Sequence, residues 1–210
     1  MKPPRAMLFD FDGTLADSFG AITLSTNHTR KHFGLQPLRE DEVRAYVGYG
    51  LRHLMEQLVP TAPPDDAVAV YREHHPGVMA SGTILFPGVV ESLETLRRRG
   101  VKTAICSNKH VQFTKAIVRE KGVAHLFDEV LGPDDVGVAK PDPAMLFEAM
   151  RRLGATASDT VYVGDMTIDV DVARNAGVPV WIVLGGASSR ESLEAAKPDR
   201  ILATFADILA

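Results

Sequence analysis

Residues 6–18 read AMLFDFDGTLADS, an apolar run that ends in two aspartates two positions apart, Asp10 and Asp12, followed at once by Gly13 and Thr14. A short, unbroken apolar run closed by turn residues predicts a strand buried on both faces. Strands of that kind belong to parallel sheets covered by helices on either side. The period-two spacing would put both carboxylates on one face were the strand to continue, and there they would repel each other. The stretch therefore sets two questions together, one of fold and one of chemistry.

Four more runs follow the same plan: VKTAICSN (101–108), DEVLG (128–132), TVYVGD (160–165) and VPVWIVLGG (178–186). Between them, ESLETLRRRG, TKAIVREKG, PAMLFEAMRRLG and IDVDVARNAG space their apolar residues near the helical period and stop at glycine. The alternation predicts an α/β fold, a doubly wound parallel sheet of Rossmann-like type. Residues 16–83 break the rhythm, with helices predicted over 18–34, 39–48, 51–59 and 65–75 and no convincing strand. The alternation resumes at LFPGVVESLETL (85–96). The predicted organisation is a core of residues 1–15 and 84–210 carrying a helical cap, 16–83.

A chain of 210 residues with 45% hydrophobic and 24% charged residues is ordinary for a folded domain and far from the composition of disorder. Its net charge of -4 argues against nucleic acid or an anionic membrane as the main partner. The run Arg97, Arg98, Arg99 before Gly100 reads as the last turn of a helix, where cations complement the dipole. The single cysteine, Cys106, lies in an apolar run and reads as a buried, inert thiol. The N-terminus lacks the apolar stretch of a signal peptide, and VPVWIVL is far short of the ~20 residues that span a bilayer, so a cytoplasmic monomer or homodimer is expected.

In open α/β sheets, ligands bind outside the carboxyl ends of the strands. Those exits carry Asp10 and Asp12, then Ser107 and Asn108, then Lys140 in a later loop, then Gly164 and Asp165. A divalent cation would relieve the repulsion between the carboxylates, and an oxygen-only shell of Asp10, the carbonyl of Asp12, Asp165 and waters suits Mg2+ better than zinc. Gly13 permits close approach of backbone N–H groups to an anion, the Ser107 hydroxyl can donate to a phosphate oxygen, and Lys140 brings compact positive charge. In AKPDPAMLFEAM, Asp142 is expected to cap a helix with Pro143 in its first turn. Asp165 and Asp169, four apart, can both face the metal if the turn leads straight into a helix, while Asp171 is expected in solvent.

Together DFDGT, Ser107, the Lys140-Pro141 pair and GDMTID resemble the four motifs of the haloacid dehalogenase-like superfamily, in its magnesium-dependent phosphatase branch. WIVLGGASSRESLEAAKPDRIL (181–202) is similar to the tail of phosphoglycolate-phosphatase-like members, and the position of the insert matches that branch's small helical cap. The resemblance implies hydrolysis of a small-molecule phosphate ester, with phosphoglycolate as the first substrate to test. It implies that Asp10 is the nucleophile, Asp12 the general acid and base, and Asp165 a direct magnesium ligand. Ser107, Asn108, Gly13 and Lys140 would hold the phosphoryl group. Asp169 would support the metal or Lys140, and Thr14 would serve near the cap hinge or Asp12.

Retention of Asp12 argues against halide-cleaving relatives, and the absence of a lysine in YVGYGLRHLMEQL (46–58) argues against imine-forming phosphonate cleavage. Tyr49 and Arg52 in that segment are candidates for recognising an anionic leaving group. Sugar-phosphate mutases of the same family and a phosphoaccepting signalling module without turnover are the rival readings; the size of the insert speaks against the module. A dinucleotide-binding oxidoreductase would need a glycine-rich fingerprint after the first strand, which DFDGTLADS does not supply. His28 and His32 have chelating spacing but no accompanying ligands, His74 and His75 should diverge on their helix, and Trp181 reads as core.

Overall fold

A computed structural model describes residues 4–210. The strands in chain order are β1 Ala6–Phe9, β2 Ala16–Asp17, β3 Ile84–Leu85, β4 Lys102–Cys106, β5 Glu129–Leu131, β6 Thr160–Gly164, β7 Val180–Val183 and β8 Arg200–Leu202. The helices are α1 Phe19–His32, α2 Glu40–Arg44, α3 Leu51–Leu58, α4 Pro64–His74, α5 Val89–Arg98, α6 Val111–Glu120, α7 Pro133–Val136, α8 Ala144–Leu153, α9 Thr167–Ala176 and α10 Arg190–Ala196. Six strands form one parallel sheet in the order β5-β4-β1-β6-β7-β8.

The strand periodicity divides the core into two layers. Met7 and Phe9 of β1 face one way, into a cluster with Leu93 and Leu96 of α5 and Ile117 of α6. Ala6 and Leu8 face the other way, toward Met145, Leu146 and Ala149 of α8 and Val172 of α9. Both faces of β1 are covered, so every residue of it is buried, which explains the unbroken apolar run. Trp181 lies in the first layer with the Arg200 guanidinium 4.4 Å from its ring centre, and Cys106 lies in the second, fully buried.

Between β1 and α5 the chain builds α1–α4, which surround an apolar cluster of their own that includes Phe19, Val43, Leu54, Met55 and Tyr71. No strand was expected here, yet β2 and β3 pair antiparallel at the two ends of this segment, Ala16 opposite Leu85 and Asp17 opposite Ile84. A two-residue strand carries no readable periodicity. The ribbon ties together the two chain crossings between the helical segment and the sheet. β8 was also unforeseen, since RIL at a sheet edge is short and only partly buried. The helix expected over 39–48 is shorter, ending at Arg44. α8 begins at Ala144, and Asp142 caps it as expected across Pro143, its Oδ1 accepting from the Ala144 N–H at 2.9 Å.

β1 is the point at which the sheet order reverses, with β4 on one side and β6 on the other. The crevice outside the carboxyl ends of these three strands is where this topology places a ligand. No helix among the described residues is long and apolar enough to cross a membrane.

Candidate active site

Asp10 leaves the end of β1 with its backbone N–H bonded to the Val163 carbonyl at 2.9 Å, so the sheet hydrogen bonding reaches the carboxylate itself. The chain then folds into a tight loop in which the Phe11 carbonyl accepts from the amides of Leu15 at 3.0 Å and Ala16 at 3.1 Å. Gly13 adopts φ +88°, a left-handed conformation that side chains disfavour, and a Cβ there would lie 2.4 Å from Asp165 Oδ2. Gly186, arriving from the loop after β7, closes the other side: its Cβ would lie 2.0 Å from the same oxygen. Asp165 is thus held between two glycine backbones.

Lys140 reaches the centre from the loop after α7. Its side chain is 1% exposed, and Nζ lies 2.7 Å from Asp169 Oδ1, 3.1 Å from Asp10 Oδ1 and 3.0 Å from the Tyr162 hydroxyl. Burial disfavours its charge, but Asp10 and Asp169 more than offset this and hold the lysine protonated, above its ordinary value. Asp10 is pushed up to about 6, chiefly by burial, with Lys140 pulling the other way and Asp169 adding repulsion. Asp165 is raised well above the usual carboxylate range by burial, then by Asp169 and Asp10.

Each of Asp10, Asp165 and Asp169 has a carboxylate oxygen within 4.8 Å of the other two, and all three residues are buried. Counting acceptors separates their roles. Asp169 Oδ1 takes Lys140 and shares the single proton of Tyr162 with the Cys106 carbonyl, while Oδ2 accepts the amides of Asp165 and Met166, both at 3.0 Å. A carboxylate offers about four lone-pair sites, so Asp169 has little left for an ion. Among the described residues Asp165 receives only two donors, Thr14 Oγ1 at 2.7 Å on Oδ1 and the Ala187 amide at 2.8 Å on Oδ2. Asp10 and Asp165 therefore retain free oxygen capacity, and an all-oxygen, doubly anionic pair fits a hard divalent cation.

Asp12, at the mouth, accepts from Lys109 Nζ at 3.1 and 3.2 Å and from the Ser18 hydroxyl. The Lys109 side chain is 6% exposed, a buried cation that the reading of Ser107 and Asn108 stopped one residue short of. Ser18, Tyr162 and Ala187 were likewise missed. Tyr162 had one faint signal, a lone hydroxyl-bearing ring in an otherwise aliphatic strand; Ser18 and Ala187 had none.

Three expectations change in detail. The Thr14 hydroxyl donates to Asp165 and not to Asp12. Asn108 uses its side-chain carbonyl on the Lys140 amide at 2.8 Å and its NH2 on the carbonyls of Gly48 and Lys140 at 3.0 and 3.2 Å, so its amide ties Lys140 to the helical segment and is not free for a phosphate. His74 and His75 do not diverge: both Nδ1 atoms reach the Ser25 hydroxyl, at 3.2 and 2.9 Å. His28 stacks on His74, ring centres 4.1 Å apart, and is not paired with His32.

The cleft above Asp10 is lined from below by Asp12, Ser107, Asn108 and Lys109, and from above by residues of the helical segment that include Ile22, Leu54, Tyr71 and His75. Tyr49 and Arg52 are not in this lining. Tyr49 packs on His53, and Arg52 lies outside in exposed ion pairs with Glu56, at 3.1 Å, and Asp65. Asp171 is exposed, as expected.

Residues 7–183 match the family model for haloacid dehalogenase-like hydrolases. A phosphoglycolate phosphatase of Rhodobacter capsulatus is 35% identical over 187 residues, covering 86% of this chain and 84% of its own. One from Aquifex aeolicus is 32% identical over 182 residues, covering 87% and 85%. The crystal structure of a predicted phosphoglycolate phosphatase from Haemophilus somnus 129PT superposes with a TM-score of 0.90 at 29% identity, covering 100% of this chain and 98% of that one. With the Asp10 loop, the buried lysine and the acidic cluster gathered at the carboxyl ends of the central strands, the chain belongs to the haloacid dehalogenase-like hydrolases.

Proposed function

We propose that this enzyme is a magnesium-dependent phosphatase acting on a small phosphate monoester with an anionic leaving group, phosphoglycolate first among them. The observation that carries the reading is the buried cluster in which Asp10 lies 3.1 Å from Lys140, within reach of Asp165, at the floor of a cleft roofed by the helical segment. A phosphate monoester repels an approaching carboxylate, so the charge must be offset by groups already in place.

Asp10 attacks phosphorus, forming an acyl-phosphate bond as the ester P–O bond breaks, and Asp12 delivers a proton to the leaving oxygen. Water then attacks the aspartyl phosphate, Asp12 takes the water's proton, and inorganic phosphate leaves with Asp10 restored. Lys140 holds position against Asp10 and the transferring oxygens, while Asp169 and Tyr162 hold Lys140. Asp10 and Asp165 would hold magnesium, which would supply further positive charge to offset that of the phosphoryl group. Residues 16–83 act as a cap, with the ribbon of β2 and β3 as its root, and exclude bulk water during the first step. Tyr49 and Arg52 would reach a substrate only if the cap segment around them moved.

The test is a panel of phosphate esters with and without magnesium, with Asp10→Asn as the inactive control. Continuous release of phosphate that requires magnesium supports the reading. Retention of one phosphate per chain without turnover would favour the phosphoaccepting module, and isomerisation of a sugar phosphate without net hydrolysis would favour a mutase. Activity surviving in Asp10→Asn would displace the nucleophile.

A further inference from the structure

His75 stands out among the cleft residues because nothing in the chemistry above uses it. It begins the turn after α4, is 1% exposed, and anchors Nδ1 to the Ser25 hydroxyl of α1 at 2.9 Å. The opposite ring nitrogen, Nε2, is buried without a hydrogen-bond partner among the described residues. Leaving such an atom unpaired costs about 1–3 kcal/mol unless something else satisfies it. His75 lines the same cleft as Asp12 and Lys109, on the side away from Asp10's strand.

We propose that His75, with Nε2 directed into the cleft and Nδ1 held by Ser25, forms a leaving-group subsite that donates a hydrogen bond to a carboxylate oxygen of the ester, beside Lys109.

This inference deepens the phosphatase reading and rests on it. The hydrogen-bond chain sets the direction of the donor. The half-exposed His74 can donate from Nδ1 to Ser25 Oγ at 3.2 Å, the single Ser25 proton then goes to His75 Nδ1, and the His75 proton is left on Nε2. The ring is held in place by packing against Tyr71 and, edge-on, against Phe113, with centroids 4.8 and 5.1 Å away. Burial, then the nearby charges of Lys109 and His74, push His75 down to about 3, so it acts as a neutral donor and not as an acid. The division of labour is between a cation, Lys109, that attracts the carboxylate and a directional donor, His75, that fixes its orientation.

The experiment compares kcat/KM for phosphoglycolate with that for p-nitrophenyl phosphate, which has no carboxylate, in wild type, His75→Phe, His75→Gln and Ser25→Ala. Thermal melts establish that each variant is folded. Phe keeps a ring among rings, so the fold should tolerate it; Gln restores a polar end. The ratio of the two kcat/KM values should fall about tenfold or more in His75→Phe, mainly through KM, and recover in part in His75→Gln. Ser25→Ala should shift it in the same direction by less. Product inhibition gives an independent readout: glycolate should inhibit p-nitrophenyl phosphate hydrolysis less in His75→Phe, with inhibition by inorganic phosphate tracking wild type. An unchanged ratio, or loss shared equally by both esters, overturns the subsite. If wild type ignores phosphoglycolate but hydrolyses p-nitrophenyl phosphate, the proposed substrate falls and the ratio is taken with the best carboxylate-bearing ester of the panel. If no such ester is hydrolysed, the inference falls with it.

Discussion

Replacing Thr14 with Val removes one hydroxyl and almost no volume, and its consequence can be worked out from Asp165. That carboxylate has two donors, Thr14 Oγ1 at 2.7 Å and the Ala187 amide at 2.8 Å, and is fully buried. Losing the first leaves Oδ1 without a protein partner, and a hydrogen bond to a charged group is worth about 1.5–3 kcal/mol. What bears on metal affinity is the orientation this bond gives Asp165, which the variant must impose when the cation binds, and we take about 1.4 kcal/mol for it, or about tenfold. Residues that orient metal ligands typically give 10–100-fold effects, roughly the same range. The assay is magnesium titration of p-nitrophenyl phosphate hydrolysis, alongside calorimetric titration of magnesium into the resting enzyme. Thr14→Val should raise the half-activating magnesium concentration about tenfold, and Thr14→Ser should restore it. A folded Thr14→Val whose magnesium dependence lies within twofold of wild type would refute the idea that the hydroxyl positions Asp165.

Three further outcomes follow from other contacts. Gly186→Ala would place a Cβ 2.0 Å from Asp165 Oδ2, so the carboxylate must move; a misplacement of that kind should cost about 100-fold in kcat/KM, and a variant retaining more than half the wild-type value would show that the loop yields instead. Lys109→Met strands Asp12 with Ser18 alone, and breaking so buried an ion pair should lower unfolding free energy by about 3 kcal/mol in urea titrations; a loss under 1 kcal/mol would mean that water screens the pair. His75, pushed down to about 3 from 6.5, is neutral in both folded and unfolded chains above pH 6.5, where its contribution is complete. Below that the unfolded chain takes up a proton the folded one refuses, so stability falls by about 1.4 kcal/mol per unit, roughly 2 kcal/mol by pH 5. Between pH 7 and pH 5, urea unfolding should show stability changing less favourably in wild type than in His75→Phe by roughly 2 kcal/mol, and equal changes in both would refute it.

Much of the fold could be read along the chain because its signals are local. The unbroken runs at β1, β4, β6 and β7 mark strands buried on both faces, and the helices between them carry their own period and glycine stops. The strand exits in turn located Asp10, Asp12, Ser107 and Asp165, because a polar residue at the end of an apolar strand is itself a sequence-visible anomaly. The edge strand β8 and the ribbon of β2 and β3 left no such mark: strands of two or three residues with one face in solvent have no pattern long enough to detect.

The tertiary structure alone decided who holds whom. Thr14 and Asp165 are 151 residues apart and Lys140 and Tyr162 are 22 apart, so no spacing rule links them. Ser25 and His75 meet across two helices whose sequence periods say only that each has a buried face. Arg52 looked like a ligand from its neighbours in sequence, yet its helix turns it outward to Glu56 and Asp65. Local chemistry follows from which residues are adjacent along the backbone, whereas charge balance and orientation depend on distances through space, which packing sets and a linear string does not contain.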